Sequence, residues 1–152
     1  MTKPYLLLLE DDPNDTALLR SAFQKLGFGQ WFRSVLDGRE GADYLEGKGP
    51  YGNREHHPIP DLIILDLKMP RMNGFEFLSW LRAHPTLSET AVVILTSSED
   101  PRDIERARQY RIVSYLVKPG GLQRILDCSA QIVRMAQAIK DGKAFASMFP
   151  SA

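Results

Sequence analysis

Leu62-Ile63-Ile64-Leu65 is an unbroken apolar run that stops abruptly at Asp66. A half-buried strand alternates apolar and polar residues, so a short continuous run reads as a strand covered on both faces. Covering a strand twice requires helices above and below it, which is the layout of a parallel sheet built from βαβ crossovers. Four further strand candidates accompany this one. Tyr5-Leu6-Leu7-Leu8-Leu9 ends in Glu10-Asp11-Asp12, and Trp31 to Leu36 alternates loosely. Ala91-Val92-Val93-Ile94-Leu95 ends in Thr96-Ser97-Ser98, and Tyr115-Leu116-Val117 ends in Lys118-Pro119-Gly120-Gly121.

Between these runs the apolar residues recur at helical steps. Leu18, Leu19, Ala22, Phe23 and Leu26 form the first such stripe, with Asn14 and Asp15 as expected caps and Gly27 as its stop. Ala42, Tyr44 and Leu45 follow Asp37 and end near Gly47, while Phe75, Phe77, Leu78 and Leu81 run to about His84-Pro85. Asp100-Pro101 places a capping Asp before a proline at the first helical position, and Ile104 and Ala107 carry that helix to about Tyr110. From Leu122 the steps continue through Ile125, Leu126, Ile132, Val133, Ala136 and Ile139, predicting a long last helix to about Ala146. Strands alternating with helices predict one doubly wound α/β domain over residues 1–130, with 131–152 as an extension of the last helix and a tail. The Gly- and Pro-rich stretch 47–60 is predicted as a long loop, uncommon in a compact domain and often functional.

Charge and composition exclude several classes. With 19 Lys plus Arg against 19 Asp plus Glu, the chain lacks the basic excess of a nucleic-acid binder. No apolar stretch approaches the roughly 18 residues of a membrane span, and the run after Lys3-Pro4 is too short for a signal peptide. The single Cys128 cannot form an internal disulfide, which fits a cytoplasmic location. It lies on a helical stripe with no cation beside it and reads as a packing residue. His56-His57 has no third ligand nearby and reads as solvated loop rather than a metal site.

In a parallel sheet all strands end at the same edge. Glu10, Asp11 and Asp12, Asp66, Thr96 and Lys118 are therefore expected together. Crowded carboxylates repel and raise one another's pKa unless a counter-charge joins them. Mg2+ meets that need with a few carboxylate oxygens and retained waters, and Lys118 supplies a second positive charge. Such a site suits a tetrahedral dianion, and Asp66 could act as a nucleophile that becomes an acyl phosphate.

Four stretches in order carry a family resemblance. Leu6-Leu7-Leu8-Leu9-Glu10-Asp11-Asp12-Pro13, Leu65-Asp66-Leu67-Lys68-Met69-Pro70 with Gly74, Leu95-Thr96-Ser97-Ser98 and Val117-Lys118-Pro119 resemble the receiver domain of two-component response regulators. The resemblance implies a flavodoxin-like fold, a five-stranded parallel sheet in the order 2-1-3-4-5 with five helices. It implies Asp66 as phosphoacceptor, Asp11 as a direct Mg2+ ligand, Glu10 as a ligand through water and Lys68 as a ligand through its backbone carbonyl. Mn2+ or Ca2+ could stand in for Mg2+. Thr96 and Lys118 would contact the phosphoryl group, Tyr115 would be the switch aromatic, and small Ser97 would leave room for the group. The Lys118–Pro119 bond is one the family usually holds cis. The 47–60 stretch, Thr96-Ser97-Ser98 and Asp103-Ile104 further resemble the stand-alone regulators that serve bacterial and cyanobacterial phytochromes. The implied phosphodonor is then a phytochrome histidine kinase.

Some 30 residues after the fifth strand are too few for a catalytic or DNA-binding output domain, so output is expected through binding. The expected surface is a homodimer contact made by the fourth helix, fifth strand and fifth helix with the C-terminal extension. The tail Phe145-Ala146-Ser147-Met148-Phe149-Pro150 is apolar enough to dock on a partner. A phosphoaspartyl hydrolase is a weaker reading, because Lys68 stands where a second acidic residue would serve turnover. The chain is accordingly expected to be a self-phosphorylating and self-dephosphorylating switch, not a turnover enzyme. An electron carrier is weaker too, because Glu10-Asp11-Asp12 would repel a cofactor phosphate. A degenerate receiver, working as a phosphorylation-independent scaffold, is the remaining alternative.

Overall fold

A computed structural model describes residues 2–143 of the chain. Five strands, β1 (Leu6–Leu9), β2 (Phe32–Val35), β3 (Leu62–Leu65), β4 (Val92–Thr96) and β5 (Ser114–Val117), form one sheet in the order β2-β1-β3-β4-β5. All four pairings are parallel, with Leu6 opposite both Phe32 and Leu62, and Ile94 opposite Tyr115. The helices are α1 (Pro13–Lys25), α2 (Gly38–Glu46), α3 (Gly74–Arg82), α4 (Pro101–Arg108) and α5 (Leu122–Lys140). This is the flavodoxin-like order expected from the resemblance.

The sheet separates two cores because successive strand side chains point to opposite faces. Leu7, Leu9, Ile63, Leu65, Val92 and Ile94 pack with Tyr44, Phe77, Leu78, Leu81 and Ala107 of α2, α3 and α4. Leu6, Leu8, Leu62, Ile64, Val93 and Leu95 pack with Leu19 and Phe23 of α1 and Ile132, Met135 and Ala136 of α5. Fully burying a side chain of this size stabilises the fold by about 1.5–3 kcal/mol relative to exposing it. The last helix therefore runs without a seam across residue 130, since Ile132, Met135 and Ala136 belong to the core.

Helix ends depart from expectation in two places. Asp12, not Asn14 or Asp15, caps α1, accepting from the Asn14 amide at 2.8 Å. Pro13 at the first helical position favours extended backbone just before it, which makes Asp12 the cap. The last helix stops at Lys140 rather than near Ala146. Gly142 takes a left-handed φ of 73°, and the Gly142 and Lys143 amides donate back to Ile139 and Ala138 at 3.0 and 2.9 Å. That pattern closes a helix. The apolar tail over 145–150 lies outside the described residues. The Lys118–Pro119 bond is trans, against the cis bond implied by the resemblance. Trans is the intrinsically favoured isomer of an X–Pro bond by about 0.5–1 kcal/mol.

The 47–60 stretch is a folded strap rather than a solvated loop. It includes a turn of 3-10 helix, Gly49–Tyr51. Arg54 donates to the carbonyls of Tyr44 and Leu45 at 2.7 and 2.8 Å, joining the Gly47 amide at Tyr44 and meeting Leu45 at the open end of α2. The Tyr44 hydroxyl donates to the Pro58 carbonyl at 2.8 Å, and the His57 ring stands edge-on to Tyr44 and Tyr51. No described helix is long and apolar enough to cross a membrane.

Gly74 opens α3 directly beneath β3. A Cβ there would lie 2.5 Å from the Asp66 carbonyl oxygen and 2.7 Å from Leu67 Cα, both backbone atoms. Gly→Ala in an exposed helix gains roughly 1 kcal/mol. Here the contact reverses the sign: Gly74→Ala is expected to lose about 1–3 kcal/mol through overpacking, read as a lower urea midpoint.

Candidate functional site

Three of the strands, β1, β3 and β5, hand a polar residue to the carboxyl edge by one further backbone hydrogen bond. The Glu10 amide donates to Val35, Asp66 to Leu9 and Lys118 to Thr96, at 3.1, 3.1 and 2.8 Å. These bonds extend the backbone pairing past the last apolar residues and fix where the side chains start. Glu10 is 1% exposed and Asp66 5%, whereas Asp11 and Asp12 are open to solvent. Thr96 is fully buried at the end of β4.

Lys118 sits at the centre. Its Nζ lies 2.6 Å from Glu10 Oε1, 2.7 Å from Asp15 Oδ2 and 3.0 Å from Asp66 Oδ2. The contacts to Asp15 and Asp66 are aligned hydrogen bonds. That to Glu10 is a close ion pair without good alignment, so Glu10 Oε1 has no well-aligned donor. The other Glu10 oxygen accepts from the Asp12 amide at 3.1 Å. Burial alone would lower the Lys118 pKa, but Asp15, Glu10 and Asp66 outweigh it and hold the ammonium above its ordinary range. Burial pushes the Glu10 carboxyl up from 4.5 to about 7, with Lys118 opposing the rise and the Asp66 charge adding to it.

Glu10, Asp11 and Asp66 each offer a carboxylate oxygen, and these oxygens lie within 4.8 Å of one another. An all-oxygen donor set of this size, open to water on the Asp11 side, fits a hard divalent cation that keeps several waters. The buried Glu10 oxygen that lacks an aligned donor is a ligand position such a cation would satisfy. Lys68 begins the loop after Asp66, and its amide is 3.4 Å from Asp66 Oδ1. Farther along, Arg71 adopts a left-handed φ of 63° and its guanidinium holds buried Asp37 at 2.6 and 2.7 Å. That pair ties the loop to the start of α2.

Thr96 and Tyr115 meet through the β4–α4 loop. The Ser98 amide is 3.5 Å from Thr96 Oγ1, and the Tyr115 hydroxyl donates to the Ser98 carbonyl at 2.9 Å. The Ser98 hydroxyl donates to Asp103 at 2.6 Å. Burial raises the Tyr115 pKa, so the phenol stays a donor.

The sequence-predicted residues Glu10, Asp11, Asp66 and Lys118 are thus brought together. Asp15 and the Asp37–Arg71 pair were not expected. A signal for Asp15 exists: it falls on the stripe Asp15, Leu19, Ala22, Phe23, so it faces the sheet.

Known proteins match along the same stretch. The family model "Response regulator receiver domain" matches residues 6–129. The probable methanogenesis regulatory protein FilR2 of Methanothrix harundinacea is 36% identical over 120 residues, covering 76% of this chain and 73% of FilR2. Response regulator Rcp1 of Synechocystis is 30% identical over 118 residues, covering 78% of each. A Mn2+-bound form of Rcp1 superposes with a TM-score of 0.66 at 25% identity, covering 97% of this chain and 99% of that one. The phosphorylated cyanobacterial phytochrome response regulator RcpA superposes with a TM-score of 0.80 at 28% identity, covering 90% and 96%.

The Glu10 shift has a signed consequence for the metal-free protein. Between about pH 4.5 and 7 the folded state holds a proton that the unfolded state has released, so Glu10's contribution to stability falls as pH rises. Glu10→Gln cannot ionise. Its stability relative to the native chain is expected to improve by about 1–3 kcal/mol from pH 5 to pH 8 without metal, and less with Mg2+. Urea titrations at the two pH values measure this.

Proposed function

The chain belongs to the response regulator receiver domain family, and from that membership we propose that it accepts a phosphoryl group from a histidine kinase onto Asp66. The observation that carries this reading is the Asp66 carboxylate, held between Lys118 at 3.0 Å and the oxygens of Glu10 and Asp11. A carboxylate oxygen of Asp66 attacks phosphorus and an O–P bond forms as the P–N bond of the phosphohistidine breaks. With the other ring nitrogen carrying a proton, the electron pair returns to the released nitrogen and the ring leaves as neutral imidazole. Lys118 meets the growing charge on the equatorial oxygens, and Thr96 offers its hydroxyl to them as Tyr115 follows.

Asp11 and Asp66 would hold Mg2+ directly, Glu10 through water and Lys68 through its backbone carbonyl. When bound, the cation supplies charge neutralisation between the carboxylates and the phosphoryl oxygens. The Mn2+-bound form of Rcp1 supports an ion of this class. Hydrolysis of the acyl phosphate resets the protein, which makes it a switch rather than a turnover enzyme.

Receiver domains partner with histidine kinases, and likeness to Rcp1 and RcpA supports a phytochrome kinase as the donor here. The exposed apolar Val117 and Leu122, at 39% and 66% accessibility, support a homodimer through α4, β5 and α5 as the output.

Asp66→Asn is expected to abolish labelling by acetyl phosphate with Mg2+ and by a phosphorylated kinase; undiminished labelling would sink the assignment. A bacterial phytochrome kinase is expected to transfer faster than kinases without a photosensor, and equal rates would remove the phytochrome link. Sedimentation with beryllofluoride is expected to show dimer mass that Leu122→Asp returns to monomer.

A further inference from the structure

Asp15 is the carboxylate at this edge that neither the cation cluster nor the nucleophile accounts for. It projects from the first turn of α1, and its Oδ2 lies 2.7 Å from Lys118 Nζ. An ammonium has three protons to donate. Glu10, Asp15 and Asp66 lie around Nζ at 2.6, 2.7 and 3.0 Å, the last two as aligned hydrogen bonds, so three carboxylates compete for one ammonium. A phosphoryl group on Asp66 brings new acceptor oxygens and more negative charge, and as they take the ammonium over one present partner is loosened.

Burial decides which one. The Glu10 side chain is 1% exposed, and freeing it would strand a buried charge. Asp66 carries the incoming group. The Asp15 side chain is 33% exposed, so water can take over its hydrogen bonds. A cavity of about 60 Å3, lined by Asp15, Leu18, Leu19, Leu95, Lys118 and Pro119 among others, adjoins the pair. The Asp15 carboxylate has room to swing without displacing the core.

We infer that Asp15 is a brake on Asp66: it occupies Lys118 in the resting protein and must surrender it before the phosphoryl group is fully held. The inference rests on the reading of Asp66 as phosphoacceptor. Asp15 acts through Lys118 and is a positioning residue. Its negative charge also repels the incoming dianion, so both effects of removing it have the same sign.

The test titrates Mg2+-loaded wild type, Asp15→Asn and Asp15→Ala with beryllofluoride, and times labelling by acetyl phosphate. Both variants are expected to bind beryllofluoride about three- to tenfold tighter and to label faster by a similar factor, the range of one partly screened ion pair. Asp15→Glu, which keeps the charge, is expected to restore most of the restraint. A negative charge in the first turn of a helix is itself stabilising, so Asp15→Asn should melt slightly lower while binding tighter. A merely structural role would move both downward. Unchanged or weaker binding in the two variants, in a wild type that labels at Asp66, overturns the brake alone. Absence of labelling at Asp66 in the wild type overturns the phosphoacceptor reading and the brake with it.

Discussion

Parallel pairing of five short strands is the constraint from which the rest of this structure descends. Because every strand runs the same way, every strand also ends at the same edge, and the chain's polar punctuation collects there. The pairing bonds do not stop with the apolar residues. They reach Glu10, Asp66 and Lys118, so the groups with the strongest mutual forces hang from the stiffest part of the backbone. Repulsion among the carboxylates cannot relax by moving strands apart, since Leu9, Leu65 and Leu95 are buried just beneath. It is met by Lys118, while burial, with the Asp66 charge adding to it, keeps the Glu10 carboxyl raised.

Much of this was legible in the residues themselves. Runs such as Leu62–Leu65 announce burial on both faces, and their terminal residues locate the edge without any knowledge of the pairing order. Long-range partners were harder. Asp15 and Lys118 are 103 positions apart, and nothing local distinguishes Asp15 from a capping residue except its place on an apolar stripe. The Asp37–Arg71 pair depends on Arg71 adopting a left-handed turn that an arginine does not advertise. The end of the last helix was readable in principle, since Gly142 follows Asp141 as a stop; the apolar steps beyond it drew the prediction too far. The strap at 47–60 has loop composition, yet Arg54 and Tyr44 give it partners that composition cannot show.

The strap also bears on how α2 is held. Helices in such a fold commonly expose their last carbonyls to water. Here Arg54 covers those of Tyr44 and Leu45, Arg71 meets the capping Asp37 at the opposite end, and Tyr44 is buried between. The second helix is thereby fastened at both ends by arginines from separate loops.

Gly74 sets where the molecule can yield. Its close contact with the backbone of Asp66 and Leu67, together with the Asp66 pairing bond, clamps that residue from below and from the side. The β4–α4 loop is fastened differently, through single hydroxyls: Ser98 to Asp103 and Tyr115 to Ser98. Asp66 is thus held by backbone on two sides, whereas the surface around Ser98 and Tyr115 hangs on side-chain hydroxyls.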